Sequence, residues 1–313
     1  MRHAERFRNW MIAALLCGSS LGPASATQDP PHTIFSSRSE VVLVHVSVLD
    51  GKSRLVPGLP REAFTVFENG QPQPITFFHN DDNPVTVGLV LDCSTSMQRK
   101  REAIIAAGIA FAQSSHPSDE LFTVNFNEQV WSGLPVSIPF TSDVEQLRNA
   151  LQRSGARGRT ALFDAMQFAL GHLQKGQRQK KVLIVVSDGG DNASRATFDD
   201  VLQAAQRSDA IIYALSLHDQ YDDDARPDVL RKLTGATGGK AYFPRDPSDS
   251  SAVLTQIAQE IRSGYTLGYV PPATGDGYRA IGIDVRPADG RKLSVRARPG
   301  YTVSPATAEH DRY

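Results

Sequence analysis

Residues 89–97 read LVLDCSTSM: an apolar run ends in Asp92, then Cys93, Ser94, Thr95 and Ser96 follow without a break. Hydroxyls and a thiol beside an acid admit three chemistries. They are a nucleophile that needs a base, a helix cap, or a set of oxygens for a metal. Further along, SGARGRTALFD (154–164) supplies Thr160 and VSDGGDN (186–192) supplies Asp188, each next to an apolar or amphipathic segment.

A hard divalent cation such as Mg²⁺ takes six oxygens and usually keeps several waters. Asp92, Ser94 and Ser96 alternate at a spacing of two as a strand turns into a helix, which aims all three at one point. Thr160 and Asp188 add a hydroxyl and a second carboxylate from neighbouring loops, so the set needs no cysteine. Taken alone, Ser94 and Ser96 serve as well for capping the helix expected at 98–113. With Thr160 and Asp188 in register the metal reading is preferred. Asp191 and Asn192 read as turn residues. The Asp222–Asp224 run suggests calcium but reads better as a solvated loop.

A hydrolase would need a base within reach of Ser94, Ser96 or Cys93. The region has no G-x-S-x-G elbow and no S-x-x-K, and His116, His172 and His218 all lie off the three loops. Cys93 should point away from Asp92 and Ser94 and pack as a small hydrophobe. GATGGKA (235–241) resembles a phosphate loop only faintly, because it follows a helix and lacks a hydroxyl after the lysine.

The elements that must position these residues alternate. VTVGLVLD, ELFTVNFN, KKVLIVVSD and AIIYALSL read as buried strands. RKREAIIAAGIAFAQSS, SDVEQLRNALQ (capped by Ser142 or Asp143), TALFDAMQFALGHLQ, ATFDDVLQAAQRSD, PDVLRKLTGAT and SAVLTQIAQEIRS read as helices, with GKAYFP a short strand. The fold class is therefore α/β: a doubly wound, mostly parallel sheet with helices on both faces. In such sheets functional groups gather at the carboxyl ends of the strands, where all three loops fall.

Both flanks are β. EVVLVHVSVLD and AFTVFENGQPQPITFFHND precede the α/β block, the latter reading as two strands around Asn69-Gly70. YTLGYVP, YRAIGIDVRP and KLSVRARPGYTV follow it, with ADGR as the last turn. Neither flank buries a good core alone, so 40–82 and 264–304 are expected to combine into one small sandwich around an inserted α/β domain at 83–263. The alternative is two independent β appendages.

LVLDCSTSM, GRTALFDAM and IVVSDGGDN, in that order, resemble a von Willebrand factor type A domain with an intact metal-ion-dependent adhesion site, D-x-S-x-S followed by a Thr and an Asp. The likeness covers roughly 84–263. The flanks VSVLDGKSRLVPGLPREAFTVFENGQPQPITFF and GYTLGYVPP…VRARPGY resemble a bacterial exported subfamily of related proteins. The resemblance implies that Ser94 and Ser96 coordinate the metal and that Thr160 does so directly or through water. Asp92 and Asp188 would act through water or through hydrogen bonds to the serines. It implies Mg²⁺, with Mn²⁺ or Ca²⁺ as alternatives, and a short antiparallel edge strand at EQVWSGLP (128–135). A cation with neutral hydroxyls around it is under-neutralised, so an Asp or Glu of a protein partner completes its shell. In the family it resembles, the last helix, here 251–263, can slide to couple metal state to partner affinity, and here it runs directly into GYTLGYVP of the expected sandwich.

The chain as a whole sets bounds on these readings. MRHAERFRNW is basic, MIAALLCG is a short apolar core and PASA offers Ala24 and Ala26, a three-part signal peptide (1–26) with a lead-in at 27–39 and a tail at 305–313. Lipidation at Cys17 is disfavoured by the bulky Leu16. Removal of the signal leaves Cys93 alone, so no internal disulfide is expected. A formal net charge of −1 gives no basic field for nucleic acid. No later segment is apolar enough to span a membrane. The sequence thus reads as an exported, non-catalytic adhesion protein, periplasmic, surface-bound or secreted. The alternative is a structural envelope component whose metal stabilises the fold.

Overall fold

The computed structural model describes residues 41–80, 82–153, 155–217, 224–272 and 277–303. The signal segment, both terminal tails, His218 and most of the Asp222–Asp224 run lie outside the described residues.

The central sheet contains β5 (Val85–Asp92), β6 (Glu120–Phe126), β7 (Val130–Ser132), β8 (Lys180–Val186), β9 (Ile211–Leu215) and β10 (Ala241–Tyr242), ordered β10-β9-β8-β5-β6-β7. All neighbours run parallel except β7, which pairs antiparallel with β6 at the edge where the resemblance placed such a strand. Burial on both faces explains the unbroken apolar runs. Val87, Leu89 and Leu91 of β5 face one core with α1 (Arg101–Gln113), α2 (Val144–Gln152) and α6 (Ser250–Ser263). Val90 faces the other, with α3 (Leu162–Leu173), α4 (Phe198–Arg207) and α5 (Pro227–Thr237). β8 alternates likewise, with Val182, Ile184 and Val186 on the first side and Leu183 and Val185 on the second. Asp143 caps α2 by accepting from Glu145 N and Gln146 N.

The flanking strands build two further sheets of four strands each. One orders β13 (Ser294–Ala297), β1 (Val42–Leu49), β11 (Tyr265–Tyr269) and β4 (Phe77–His79). The other orders β14 (Gly300–Val303), β12 (Gly277–Val285), β2 (Phe64–Glu68) and β3 (Gln71–Gln73). Each mixes strands from before and after the α/β unit, and Val44, Val46, Phe64, Val66, Tyr265 and Leu267 share one core. Two independent appendages are therefore ruled out. The hairpin at Asn69-Gly70 forms with positive φ at both residues, as its turn requires.

Two segments expected as single strands are each cut in two. β3 and β4 belong to different sheets, with Pro74 between them; so do β13 and β14, with Pro299 between them. Proline cannot donate to a ladder, so each marks the point where the chain leaves one sheet for the other.

The α/β unit and the β sheets meet at a buried carboxylate. Glu260 of α6 accepts from Tyr213 Oη of β9 at 2.7 Å, from Tyr242 Oη of β10 at 3.2 Å and from Ser47 Oγ of β1 at 3.2 Å. It also pairs with Arg296 of β13. Burial pushes the Tyr213 phenol well above its usual pKa, so it stays a donor.

Candidate metal centre

β5 and β8 lie side by side with Leu91 level with Val186, so Asp92 and the Ser187–Asp188 pair leave the sheet together. Asp92 is 3% exposed. Its Oδ1 accepts from Ser94 N at 2.9 Å and its Oδ2 from Ser187 Oγ at 2.7 Å. Ser94 Oγ lies 3.2 Å from Ser96 Oγ, and Ser96 Oγ donates to Asp188 Oδ2 at 2.6 Å. Asp188 Oδ1 accepts from Gly190 N at 2.9 Å. Asp92, Ser94, Ser96 and Asp188 thus form one hydrogen-bonded cluster at the carboxyl ends of two central strands.

Ser94 does precede a helical turn, the 3₁₀ segment Thr95–Lys100 that leads into α1, but its side chain makes no cap hydrogen bond. The serine hydroxyls face each other and Asp188 rather than the helix N–H groups, so the capping reading fails on geometry.

Thr160 comes from the third loop. Its backbone N donates to Asn192 Oδ1 at 2.9 Å, and its carbonyl accepts from Asn192 N and Ala193 N at 2.9 and 3.0 Å. Two residues earlier, Gly158 O accepts from both the N and the Oγ1 of Thr95. The Thr160 loop is thus fastened to the loop of Ser94 and Ser96 on one side and to the loop of Asp188 on the other. Its hydroxyl makes no hydrogen bond with any described residue.

Four residues earn roles that sequence reasoning missed. Ser187 carries half of the support for Asp92 and is fully buried. Asp191 and Asn192, read as turn residues, are clamps: Asp191 Oδ2 accepts from Phe163 N at the start of α3, and Asn192 holds Thr160. Asp164 accepts from Arg195 N and Ala196 N and closes the same corner. Their only sequence signal is density of short polar side chains, which does not say what they hold.

The side chains joined here suit a hard cation: Asp92, Asp188, Ser94 and Ser96 bring together two carboxylates and two hydroxyls, with no imidazole or thiolate among them, and Thr160 stands on the adjoining loop. Cys93 is 3% exposed and its Sγ turns to Leu91 O at 3.6 Å. Burial first, and the charge of Asp188 second, push the Asp92 carboxyl up to about 6. A positive ion held by this set would offset that penalty.

Among the described residues, neither His172 nor His116 lies beside the serines. His172 follows three turns of α3 away from the site, about 15 Å, and its Nε2 bonds Pro139 O at 2.8 Å. His116 lies beyond the far end of α1, in a turn closed by Asp119. In GATGGKA, Gly238 ends α5 in the left-handed region and Gly239 lies against Ile212 O, so both glycines serve the backbone.

Residues 87–190 match the family model described as von Willebrand factor type A domain. No curated protein matches the chain. Among solved structures, a von Willebrand factor type A protein from Catenulispora acidiphila is 15% identical, with 87% of this chain and 76% of that chain covered at a TM-score of 0.52. Proximal thread matrix protein 1 from the mussel byssus is 12% identical, covering 60% of this chain and 48% of that chain at 0.50. The von Willebrand factor domain of the type V pilus tip protein Mfa5 from Porphyromonas gingivalis is 14% identical, covering 57% and 95% at 0.48. At these identities the likeness to the first two is one of fold.

Proposed function

We propose that the chain is an exported, non-catalytic binding protein. Its von Willebrand type A domain holds a divalent cation of the Mg²⁺ type through Asp92, Ser94, Ser96, Thr160 and Asp188. The cation docks an Asp or Glu of a protein partner. The observation that carries the reading is the cluster itself: Ser94 and Ser96 face each other and Asp188 across 92 positions of chain, beside an Asp92 whose ionisation is opposed by burial and by Asp188.

The ion would supply an electrophilic coordination position. Asp92 and Asp188 supply the negative charge and orient the serines; Ser94, Ser96 and Thr160 supply neutral oxygens, which leave the ion's charge under-neutralised. Asp191, Asn192 and Ser187 keep the three loops in register. Export is supported by the basic, apolar and small-residue pattern of 1–26. Among the described residues no helix is long and apolar enough to cross a membrane.

Calorimetry with Mg²⁺ on the mature chain and on Ser96→Ala tests the site: the first should bind and the second should lose most of the heat. Equal binding by both refutes the assignment. Pull-down from an envelope fraction in Mg²⁺ against chelator then separates docking from a structural metal. Docking predicts that chelator removes the partner while circular dichroism stays native. A chain that unfolds in chelator favours the structural role.

A further inference from the structure

The loops around the metal position carry an unusual charge pattern. Over 93–101, 153–160 and 187–197 the sequence has six arginines and one lysine against Asp188 and Asp191, in a chain whose net charge is −1. Lys100 is buried, and Arg101 donates to the carbonyls at the end of α2. The five remaining arginines, Arg99, Arg153, Arg157, Arg159 and Arg195, are all exposed. Their guanidinium groups make no hydrogen bond or ion pair with any described residue. Some exposed arginines elsewhere pair with acids, as Arg54 with Asp50 and Arg286 with Asp284, while Arg231 stacks on Phe243 instead.

Their placement follows from the backbone. Arg157 N donates to Cys93 O at 2.8 Å and Gly158 O accepts from Thr95, so Arg157 and Arg159 flank a residue pinned between Ser94 and Ser96. Arg99 stands three positions after Ser96 within one 3₁₀ turn, where such residues share a face. Arg195 sits on the loop that holds Thr160, with its N fixed by Asp164.

The acids on the same rim are committed to backbone groups. Glu128 accepts from Arg159 N, Asp164 from Arg195 N and Ala196 N, and Asp191 from Phe163 N and Ser194 N. Asp224 is also engaged, and Asp219, Asp222 and Asp223 lie outside the described residues. These carboxylates keep their charge but turn to backbone N–H groups, so the exposed charges left without a partner on the described rim are these guanidinium groups. Arginine keeps its charge at any physiological pH and binds carboxylates as a two-pronged fork.

We propose that Arg99, Arg157, Arg159 and Arg195 form a collar that selects an acidic polypeptide segment, in which one carboxylate takes the metal and its neighbours pair with the guanidinium groups. The proposal rests on the metal-docking reading above. A segment of successive Asp or Glu residues fits because each residue advances the chain by about 3.3 Å, so carboxylates beside the docked one fall within reach of the rim. The collar also raises the encounter rate for such a segment, an effect that salt screens.

The test uses the mature chain and an end-blocked octaglutamate peptide, in Mg²⁺ and in chelator. Arg157→Gln, Arg159→Gln and Arg195→Gln are combined in one variant. Arg54→Gln, Arg286→Gln and Arg291→Gln, on the β sheets, are combined as a control. The collar variant should weaken octaglutamate binding by about tenfold or more. It should bind Mg²⁺ at least as tightly as wild type, since it removes only like charges from around the cation, and the control should match wild type. Unweakened binding in the collar variant, equal weakening in the control, or no octaglutamate binding by wild type overturns the collar. So does binding of a sulfated oligosaccharide in place of octaglutamate. Binding that survives chelator yet is lost in the collar variant supports the collar and sinks the metal-docking reading, which keeps the two failures apart.

Discussion

Ser96 Oγ donates to Asp188 Oδ2 at 2.6 Å, joining the turn after β5 to the turn after β8. The bond places a neutral oxygen beside a carboxylate whose own charge opposes ionisation of Asp92. The centre therefore stores electrostatic cost in the metal-free protein.

That cost predicts a trade between stability and binding. Asp188→Asn should stabilise the chelator-treated protein by about 1 kcal/mol, because it removes a like charge beside a buried carboxylate. Mg²⁺ should stabilise the wild type by about 2.7 kcal/mol at a hundredfold excess over the dissociation constant and so raise its melting temperature; the same change should abolish that rise. Thermal scans of both proteins with and without Mg²⁺ check this. A metal-free variant less stable than wild type would contradict it.

A second prediction concerns His45, far from the centre. Its Nδ1 bonds Thr266 Oγ1 at 3.0 Å, its Nε2 is buried without a partner, and burial, then the charges of Lys180 and Arg298, hold its pKa down to about 3. The folded protein keeps this ring neutral, while the unfolded chain protonates it near 6.5. Below 6.5 the unfolded state binds the extra proton, so stability falls as pH drops, by about 1.4 kcal/mol per unit from this group, until about pH 3. Urea unfolding of wild type and His45→Gln at pH 7, 6 and 5 measures it. The variant should lose that part of the slope.

Glu260 supplies a third. Glu260→Gln keeps the shape but removes the charge opposite Arg296, whose side chain is 20% exposed. A loss of about 3 kcal/mol in denaturant unfolding is expected. A sliding of α6 of the kind some relatives allow would carry Glu260 about 5.4 Å per turn away from Tyr213, Tyr242 and Ser47. The variant should therefore also change how strongly Mg²⁺ alters hydrogen exchange in β1 and β13.

Gly88 tests the packing beneath the centre. A Cβ there would run into the Phe122 ring and Leu183 within the second core. Gly88→Ala should cost about 2 kcal/mol through overpacking, and Gly88→Ala with Phe122→Leu should recover part of it. Chemical denaturation of the single and double variants decides.

The α/β layers were legible because the periodicity of β5 and β8 records burial on both faces. Asp92, Ser94, Ser96 and Asp188 were legible because strand ends are where such sheets gather polar groups, and the structure joins all four. The division of KLSVRARPGYTV into β13 and β14 was not, since alternation reports a strand and not the sheet it joins; only Pro299 hinted at the break. Ser187 escaped notice for a related reason. A serine at the end of an apolar strand looks like any small residue until Asp92 stands opposite it. The clamps Asp191 and Asn192 join loops about thirty positions apart, a relation that no local pattern encodes.

The insertion of the α/β unit has a mechanical side. His79, just before it, lies opposite Thr266, just after it, on paired strands β4 and β11, and β11 in turn pairs with β1. The entry and exit of the inserted unit are thus stitched together. A tensile load between residue 41 and residue 303 runs across these strands and bypasses the loops of Asp92, Thr160 and Asp188 until the stitching tears. The strands that take the load first are thus distinct from the loops of Asp92, Thr160 and Asp188, and the link between the two parts runs through Glu260 of α6.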